Sequence, residues 1–386
     1  MSAHHPLGAS GASRWLACPG SVRLSQGIPD PGSSYADEGT RAHLLAELCL
    51  FNGIDTAAVT NVEAAKLGIS PEELEDMRPH VQSYLDYCAG LVQGPGLRFI
   101  EAQVDLSRWI PGCFGTVDFG VLHELSATLH VVDLKYGSGV RVDAAGNPQP
   151  RMYALGLLTE LEHLYNIEAV EMHIVQPRLD HVSTEVLSTD ALHEWARTVL
   201  VPGANAALHP TAPLVPGEHQ CRFCRAAAVC PARAAANQDL ARRDFDGELL
   251  PPQALSLEEI AALLPGLDEL RRWASDVQDY ALAQAEAGHE LPGYKLVEGR
   301  SNRAWVGDET ATLAALQALG LAEYQITSRK LVGIPAIEKA LGGPKVAAAL
   351  IEPLITKPVG KPALVPAADP RPALSSASSA RCDFAE

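Results

Sequence analysis

The stretch TLHVVDLKY, residues 128–136, decides the fold, because a run of β-branched and aliphatic residues ends there in Asp133 and Lys135. Such a run predicts a buried strand over 128–134. Side chains two apart on a strand share a face, so Asp133 and Lys135 project from the same side. An Asp-x-Lys pair alone is also typical of an exposed ion pair at a sheet edge. At the end of an apolar strand, where buried charge is costly, it favours a functional role.

Two strands predicted upstream, at 98–106 and 113–122, would form a meander with this one. Glu101 lies on the first strand, and Asp118 lies on the second within GTVDFG, residues 115–120. If the three strands are neighbours, Glu101 and Asp118 converge on Asp133. A site rich in carboxylate oxygens is suited to Mg²⁺ or Mn²⁺.

The remaining periodicities predict helices that flank this sheet. A helix at 37–51 carries His43, and Ser70 with Glu73 forms a capping box that opens a helix reaching about residue 91. Further elements are predicted as follows: a helix at 149–164, strands at 170–176 and 182–187, and a helix at 189–207. The order α, β, β, β, α, β, β, α predicts an α/β fold with a mixed central sheet. We expect a first domain over 1–245, a mostly helical section over 250–355 that begins with a Ser256 capping box, and a disordered tail over 357–386.

Three side chains on the predicted helices could join the acidic site. His43 would add an imidazole ligand, although a lone histidine on an apolar helix is more often structural. Gln149 and Tyr153 lie one helical turn apart and share a face, where they could position a phosphate or a base. Core packing of Tyr153 is the alternative, with Gln149 as a simple polar residue at the helix start.

Eight cysteines in 386 residues include the closely spaced set Cys221, Cys224 and Cys230. Three thiolates at this spacing indicate a metal site that needs a fourth ligand, and Cys18 is the natural candidate. Structural zinc fits this spacing, and a buried role without a metal is the alternative that the spacing disfavours. The other four, Cys49, Cys88, Cys113 and Cys382, are solitary, and the apolar surroundings of the first three predict that they are buried.

Charge and hydropathy restrict the partners. The net charge of −17 opposes a polyanion binder driven by net charge alone. DNA would need a local basic surface, for which the candidates are Arg222, Arg225, Arg233, Arg242, Arg243, Arg271 and Arg272. The absence of a long apolar run or a signal-peptide pattern in this sequence predicts a cytoplasmic protein that does not bind membranes.

Together these residues resemble the PD-(D/E)xK nuclease superfamily. The resemblance rests on His43, Glu101, Asp118, Asp133-x-Lys135 and Gln149-x3-Tyr153, which stand in the order that the superfamily shows. The spacing of Cys18, Cys221, Cys224 and Cys230 is similar to its RecB-like branch with an iron–sulfur cluster, which includes the AddB nuclease domain and CRISPR-adaptation exonucleases. SRWLACP (13–19), EGTRAH (38–43), GYK (293–295) and NRAW (302–305) look like an uncharacterised phage and prophage family of such nucleases.

The resemblance implies a restriction-endonuclease-like core with an iron–sulfur-stapled helical region and a C-terminal helical section. His43, Asp118 and Asp133 would hold Mg²⁺ or Mn²⁺, helped by the Leu134 carbonyl. Lys135 would activate water, and Glu101 would be a further catalytic acid. Gln149 and Tyr153 would contact DNA or steady the site. The four cysteines would bind a 4Fe-4S cluster.

The function implied is a metal-dependent DNA exonuclease in phage recombination or DNA processing, with a recombinase, helicase or single-strand-binding protein as a possible partner. One alternative is a non-catalytic protein that binds DNA or a recombination partner. Another is a redox or zinc protein in which the cysteines are the function.

Overall fold

We analysed a computed structural model of the 386-residue chain, which describes residues 5–29, 34–92, 94, 96–123, 126–245, 257–297, 309–318 and 327. The five strands of the described chain are β1 (Leu97–Asp105), β2 (Phe114–His123), β3 (Thr128–Leu134), β4 (Ala169–Gln176) and β5 (His181–Ser188). The helices before the sheet are α1 (Ala12–Ala17), α2 (Ser21–Leu24), α3 (Ser34–Asn52), α4 (Asn61–Lys66) and α5 (Pro71–Leu91). The helices after β3 are α6 (Pro148–Leu161), α7 (Thr189–Trp195), α8 (Val201–Leu208), α9 (Glu218–Arg222), α10 (Pro231–Phe245), α11 (Leu257–Glu286) and α12 (Glu309–Ala318).

The strands form one mixed sheet in the order β1-β2-β3-β4-β5. The predicted meander is confirmed, because β1, β2 and β3 pair in antiparallel fashion. β3 and β4 are parallel, and β5 returns antiparallel to β4. A parallel pair needs a crossover connection, and α6 lies within the connection between β3 and β4. The position of α6 beside the end of β3 therefore follows from the chain order.

Helix boundaries agree with the capping signals. The Ser70 hydroxyl accepts from the Glu73 amide at 3.2 Å, and the Glu73 carboxylate accepts from the Ser70 amide at 3.0 Å, which confirms the capping box. The predicted helix over 189–207 is interrupted by a π-helical turn at Ala196–Leu200. Pro202 follows this turn and has no N–H for the helical ladder.

Two apolar layers sandwich the sheet. One contains buried residues of α1 and α6, including Trp15 and Leu157, and the other contains buried residues of α3 and α5, including Leu45 and Tyr84. The predicted α/β class with helices flanking a mixed sheet is confirmed. Cys49, Cys88 and Cys113 are buried, as their apolar surroundings predict. Cys382 lies outside the described residues.

The alternation of β2 breaks at Asp118. Val117 packs in the layer of α6, whereas Phe119, only two residues later, packs in the layer of α3 and α5. In a regular strand these two side chains would share a face. The opposite residue on β1, Glu101, has a positive φ of 43°. The strands are therefore distorted at the level of these two carboxylates.

The chain forms two compact units, residues 1–296 and residues 297–386. The first unit includes α11, which packs against α10. In the second unit the structure describes α12 and Thr327. The Ser256 capping box, Trp305 and the tail fall outside the described residues. None of the described helices is long and apolar enough to cross a membrane.

Candidate metal and active site

Strand register brings the three predicted carboxylates together. Ile100 pairs with Phe119 and Ala102 with Val117, so Glu101 stands opposite Asp118. Phe119 pairs with Val132, and one further step of the same register places Asp118 opposite Asp133. Glu101, Asp118 and Asp133 thus form a row across β1, β2 and β3.

The Asp118 side chain replaces a backbone hydrogen bond where β2 and β3 separate. Its Oδ2 accepts from the Leu134 amide at 2.7 Å. This bond fixes the carboxylate and leaves Oδ1 directed to His43, whose Nδ1 is 3.5 Å away. The Leu134 backbone therefore acts here through its N–H, a role that the sequence did not reveal.

His43, from α3, completes a close group of ligand atoms. Its Nδ1 lies 3.9 Å from Glu101 Oε1, and the ligand atoms of His43, Glu101 and Asp118 all lie within 4.8 Å of one another. Burial opposes protonation of His43, but hydrogen bonds to Asp118 and Glu101 and the charges of Asp118 and Asp133 outweigh it and raise its pKa to about 10. A divalent cation at this site would have to displace the His43 proton, because an imidazole nitrogen binds a metal only in its neutral form.

Asp133 and Lys135 form a second, deeper part of the site. The Asp133 side chain is 2% exposed, and its Oδ2 lies 2.8 Å from Lys135 Nζ. That oxygen is buried and accepts no hydrogen bond of good geometry, although the ammonium is close. Burial raises the pKa of the Asp133 carboxyl, and the Lys135 charge opposes this rise. The Lys135 ammonium is thus the positive charge that this buried oxygen faces.

Gln149 and Tyr153 of α6 link these groups. Gln149 Oε1 accepts from Lys135 Nζ at 2.9 Å, and its Nε2 donates to Asp133 Oδ1 at 3.1 Å and to the Tyr153 hydroxyl at 3.0 Å. Tyr153 is 8% exposed and belongs to the apolar layer of α6. The contacts place Gln149 as a positioning residue, and Tyr153 serves both the core and the site.

The residues fit a hard divalent cation. Carboxylate oxygens of Glu101 and Asp118 with the His43 nitrogen suit Mg²⁺ or Mn²⁺, whereas the Asp133 carboxylate is not part of this close group. Glu101 is held in left-handed backbone, which costs a non-glycine residue of order 1–3 kcal/mol. Strain of this kind is common at functional sites, where the surrounding structure enforces it.

The cysteine set lies where α1, α2 and α9 meet. Cys18, Cys221 and Cys230 are buried, and Cys224 is half-buried. Cys18 Sγ accepts from the Val215 amide at 3.2 Å, and Cys221 Sγ accepts from the Gly217 amide at 3.4 Å. Cys224 Sγ lies 4.0 Å from the Ser25 hydroxyl, just after α2. Among the described residues, no three of these thiols have their sulfurs within 4.8 Å of one another.

Sulfurs of metal-bound thiolates often accept hydrogen bonds from backbone amides, and Cys18 and Cys221 share this feature. One tetrahedral zinc ion, with Zn–S of about 2.3 Å, would need sulfurs about 3.8 Å apart. As placed, the four sulfurs are therefore not arranged around a single zinc ion.

The prediction that Arg233 contributes to a basic surface for DNA is wrong. This side chain is 1% exposed and pairs with Glu269 at 2.7 Å and Asp276 at 2.5 Å, both on α11. Arg272 pairs with Glu218 and Glu269. A buried guanidinium needs partners, so Arg233 connects α10 to α11 instead of meeting DNA. The side chains of Arg242 and Arg243 lie outside the described residues.

Sequence reasoning missed a second group of possible ligands. His130, Glu171 and His173, on β3 and β4, bring their ligand atoms within 4.8 Å of one another. The available signal was a histidine inside the apolar run of β3 and a Glu-x-His pair on one face of the strand at 170–176.

A comparison with family models assigns the chain to a family. The model described as "Protein of unknown function (DUF2800)" matches residues 4–372, nearly the whole chain.

Proposed function

Because the chain belongs to the DUF2800 family, whose function is unknown, we propose its activity from the site: it is a divalent-metal-dependent deoxyribonuclease that acts as an exonuclease. One observation carries the proposal. Glu101, Asp118 and Asp133 stand in one row across three strands beside His43, with Lys135 held 2.8 Å from Asp133. Such a combination of carboxylates, imidazole and ammonium suits hydrolysis of a phosphodiester.

The proposed fold is the restriction-endonuclease-like core of the PD-(D/E)xK superfamily. The mixed sheet with an antiparallel β1-β2-β3 meander and the α6 crossover supports it. The acidic residues occupy β1, β2 and the end of β3, and Gln149 and Tyr153 occupy the following helix. This placement agrees with the order of residues on which the resemblance rests.

In the proposed reaction, His43, Asp118 and Asp133 hold the cation, and Glu101 contributes a further oxygen. The bound cation would neutralise charge on the scissile phosphate and lower the pKa of a water molecule. Lys135 donates to the phosphate or orients the water, because Asp133 and Gln149 hold its ammonium in place.

Gln149 and Tyr153 act on the site through their neighbours. Gln149 contacts both Asp133 and Lys135, and the Tyr153 hydroxyl accepts from Gln149. A side chain with three such contacts has little freedom to follow a substrate. We therefore assign these residues chiefly to holding the reactive geometry, with contact to DNA as their second role.

A 4Fe-4S cluster bound by Cys18, Cys221, Cys224 and Cys230 is part of the proposal. It would join the start of the described chain to the region after α8, so that its role is structural. The hydrogen bonds that backbone amides donate to the sulfurs of Cys18 and Cys221 support it.

DNA is the proposed substrate, in phage recombination or DNA processing. The net charge of −17 and the internal pairing of Arg233 favour delivery of DNA by a second protein, such as a recombinase, helicase or single-strand-binding protein.

The test is cleavage of end-labelled linear DNA, single- and double-stranded, beside circular DNA, in Mg²⁺ or Mn²⁺. The protein is purified without oxygen, and wild type is compared with Lys135→Met. We expect metal-dependent loss of linear DNA, resistance of circles, and a fall of about 10²–10³-fold in Lys135→Met.

Lys66→Ala, at the exposed end of α4, is the matched control and should cleave as wild type does. Equal trace activity in wild type and Lys135→Met, with both proteins folded, would reject the nuclease and favour the non-catalytic partner protein.

A further inference from the structure

The second group of possible ligands lies between β3, β4 and α5. His130 Nδ1 is 3.2 Å from His173 Nε2 and 3.5 Å from Glu171 Oε2. His130 and Glu171 are register partners on the two parallel strands, and His173 follows Glu171 on the same face. The register itself therefore assembles two imidazoles and one carboxylate.

These separations match a shared ion. Zn–N distances of about 2.0–2.1 Å and Zn–O distances of about 2.0–2.2 Å place tetrahedral ligand atoms about 3.3–3.4 Å apart. The two observed separations, 3.2 and 3.5 Å, lie on either side of this value. Little movement is needed to receive an ion.

His173 is oriented as a metal-binding histidine would be. Its Nδ1 lies 2.9 Å from the Tyr87 hydroxyl on α5 and 3.2 Å from the Thr184 hydroxyl on β5. If Nδ1 carries the proton and donates to one of them, Nε2 presents a lone pair toward His130. Hydrogen bonds of this kind fix the tautomer and ring orientation of zinc ligands.

A third histidine lies beside this pair. The ring of His123 lies 4.9 Å from that of His130, and its Nε2 is buried without a hydrogen-bond partner among the described residues. Three imidazoles are therefore gathered on neighbouring strands.

We propose that His130, Glu171 and His173 bind one Zn²⁺ ion, or a similar borderline divalent ion, at a site distinct from the carboxylate row. Imidazole nitrogen suits such ions, whereas the carboxylates of Glu101, Asp118 and Asp133 suit Mg²⁺. The fourth position is open to water. The side chain of Glu171 is 30% exposed, which gives the ion a path from solvent. The bound ion would connect β3 to β4 beneath α5.

The test counts zinc in the full chain. Wild type, Glu171→Gln, His130→Gln and His181→Gln are dialysed against the same buffered free Zn²⁺, and zinc per chain is measured by mass spectrometry. His181, on β5, is the matched control because it is also 12% exposed and contacts a carboxylate, that of Asp143. Zinc held by cysteines or by the carboxylate row contributes equally to all four proteins.

We expect one zinc fewer per chain in Glu171→Gln and His130→Gln than in wild type and His181→Gln. Zinc should also raise the melting temperature of wild type by more than it raises that of Glu171→Gln. The Glu171 side chain is partly exposed, so this substitution should leave the protein folded. Equal zinc content in all four folded proteins would overturn the site, and so would an equal loss in His181→Gln. Neither result depends on whether the protein cleaves DNA.

Discussion

Replacing Lys135 by Met should destabilise the metal-free protein through Asp133. The Asp133 side chain is 2% exposed, and Lys135 provides its compensating charge at 2.8 Å. Removing one partner of a buried pair costs about 3–5 kcal/mol. Lys135 is 28% exposed, and Gln149 still donates to Asp133 Oδ1, so we reduce the expected cost to about 2 kcal/mol.

A double-mutant cycle isolates this interaction. In EDTA, the free energy of unfolding is measured by urea denaturation for wild type, Asp133→Asn, Lys135→Met and the double variant. We expect Lys135→Met to cost about 2 kcal/mol in wild type and less than about 0.5 kcal/mol in the Asp133→Asn background, where no charge is left uncompensated.

The cost should also depend on pH. Burial raises the pKa of Asp133 above its unfolded value, so the native carboxyl retains its proton to higher pH. The native state then binds more protons than the unfolded state, and stability falls as pH rises through this window. Loss of the Lys135 charge raises that pKa further, so the cost should be larger at pH 8 than at pH 5. An equal cost in both Asp133 backgrounds, independent of pH, would refute the reasoning.

Three further substitutions test other features of the structure. In metal-free protein, Glu101→Asn should melt at a higher temperature than Glu101→Gln, because both substitutions remove the charge but asparagine better tolerates the positive φ. Neither variant should cleave DNA. Equal melting temperatures of the two variants would exclude stored strain at this residue. Arg233→Ala should lower the free energy of unfolding by about 3 kcal/mol, since it removes the buried charge between two carboxylates of α11, of which Glu269 still pairs with Arg272. Arg271→Ala, at an 84% exposed side chain, should stay within about 0.5 kcal/mol by urea denaturation. Gly156→Ala should cost about 1–3 kcal/mol in the same assay, because its Cβ would meet β1 at 2.6 Å, whereas Gly139→Ala, with open space around it, should not.

Much of the sheet could be predicted because its strands carry a local signal. The predicted 128–134 strand matches β3, and the helices and strands predicted between 37 and 207 occur in the predicted order. The short helices α1, α2 and α4 were not predicted. Asp133 and Lys135 could be assigned to one site since their spacing on a strand is enough. A local sequence pattern does not show which strands are neighbours. The predicted convergence of Glu101 and Asp118 therefore depended on the assumption that β1, β2 and β3 are adjacent.

The features that could not be predicted depend on tertiary contacts. Regular alternation would place Val117 and Phe119 on one face, but the distortion at Asp118 separates them. Arg233 follows a cysteine motif in a polar helix, and nothing local indicates that α11 covers it. Long-range packing decides such cases, because a charged residue becomes buried only when its partners arrive from another segment.

The two groups of possible metal ligands share β3, and their difference in chemistry follows from position along it. His130 and Asp133 are three residues apart, an odd number, so their side chains leave opposite faces of the strand. Asp133 meets Gln149 of α6, whereas His130 meets His173, which contacts Tyr87 of α5. A one-residue slip of β3 would exchange these surroundings and destroy both groups. Contacts that hold β3 in register therefore maintain the oxygen-rich and the imidazole-rich site together.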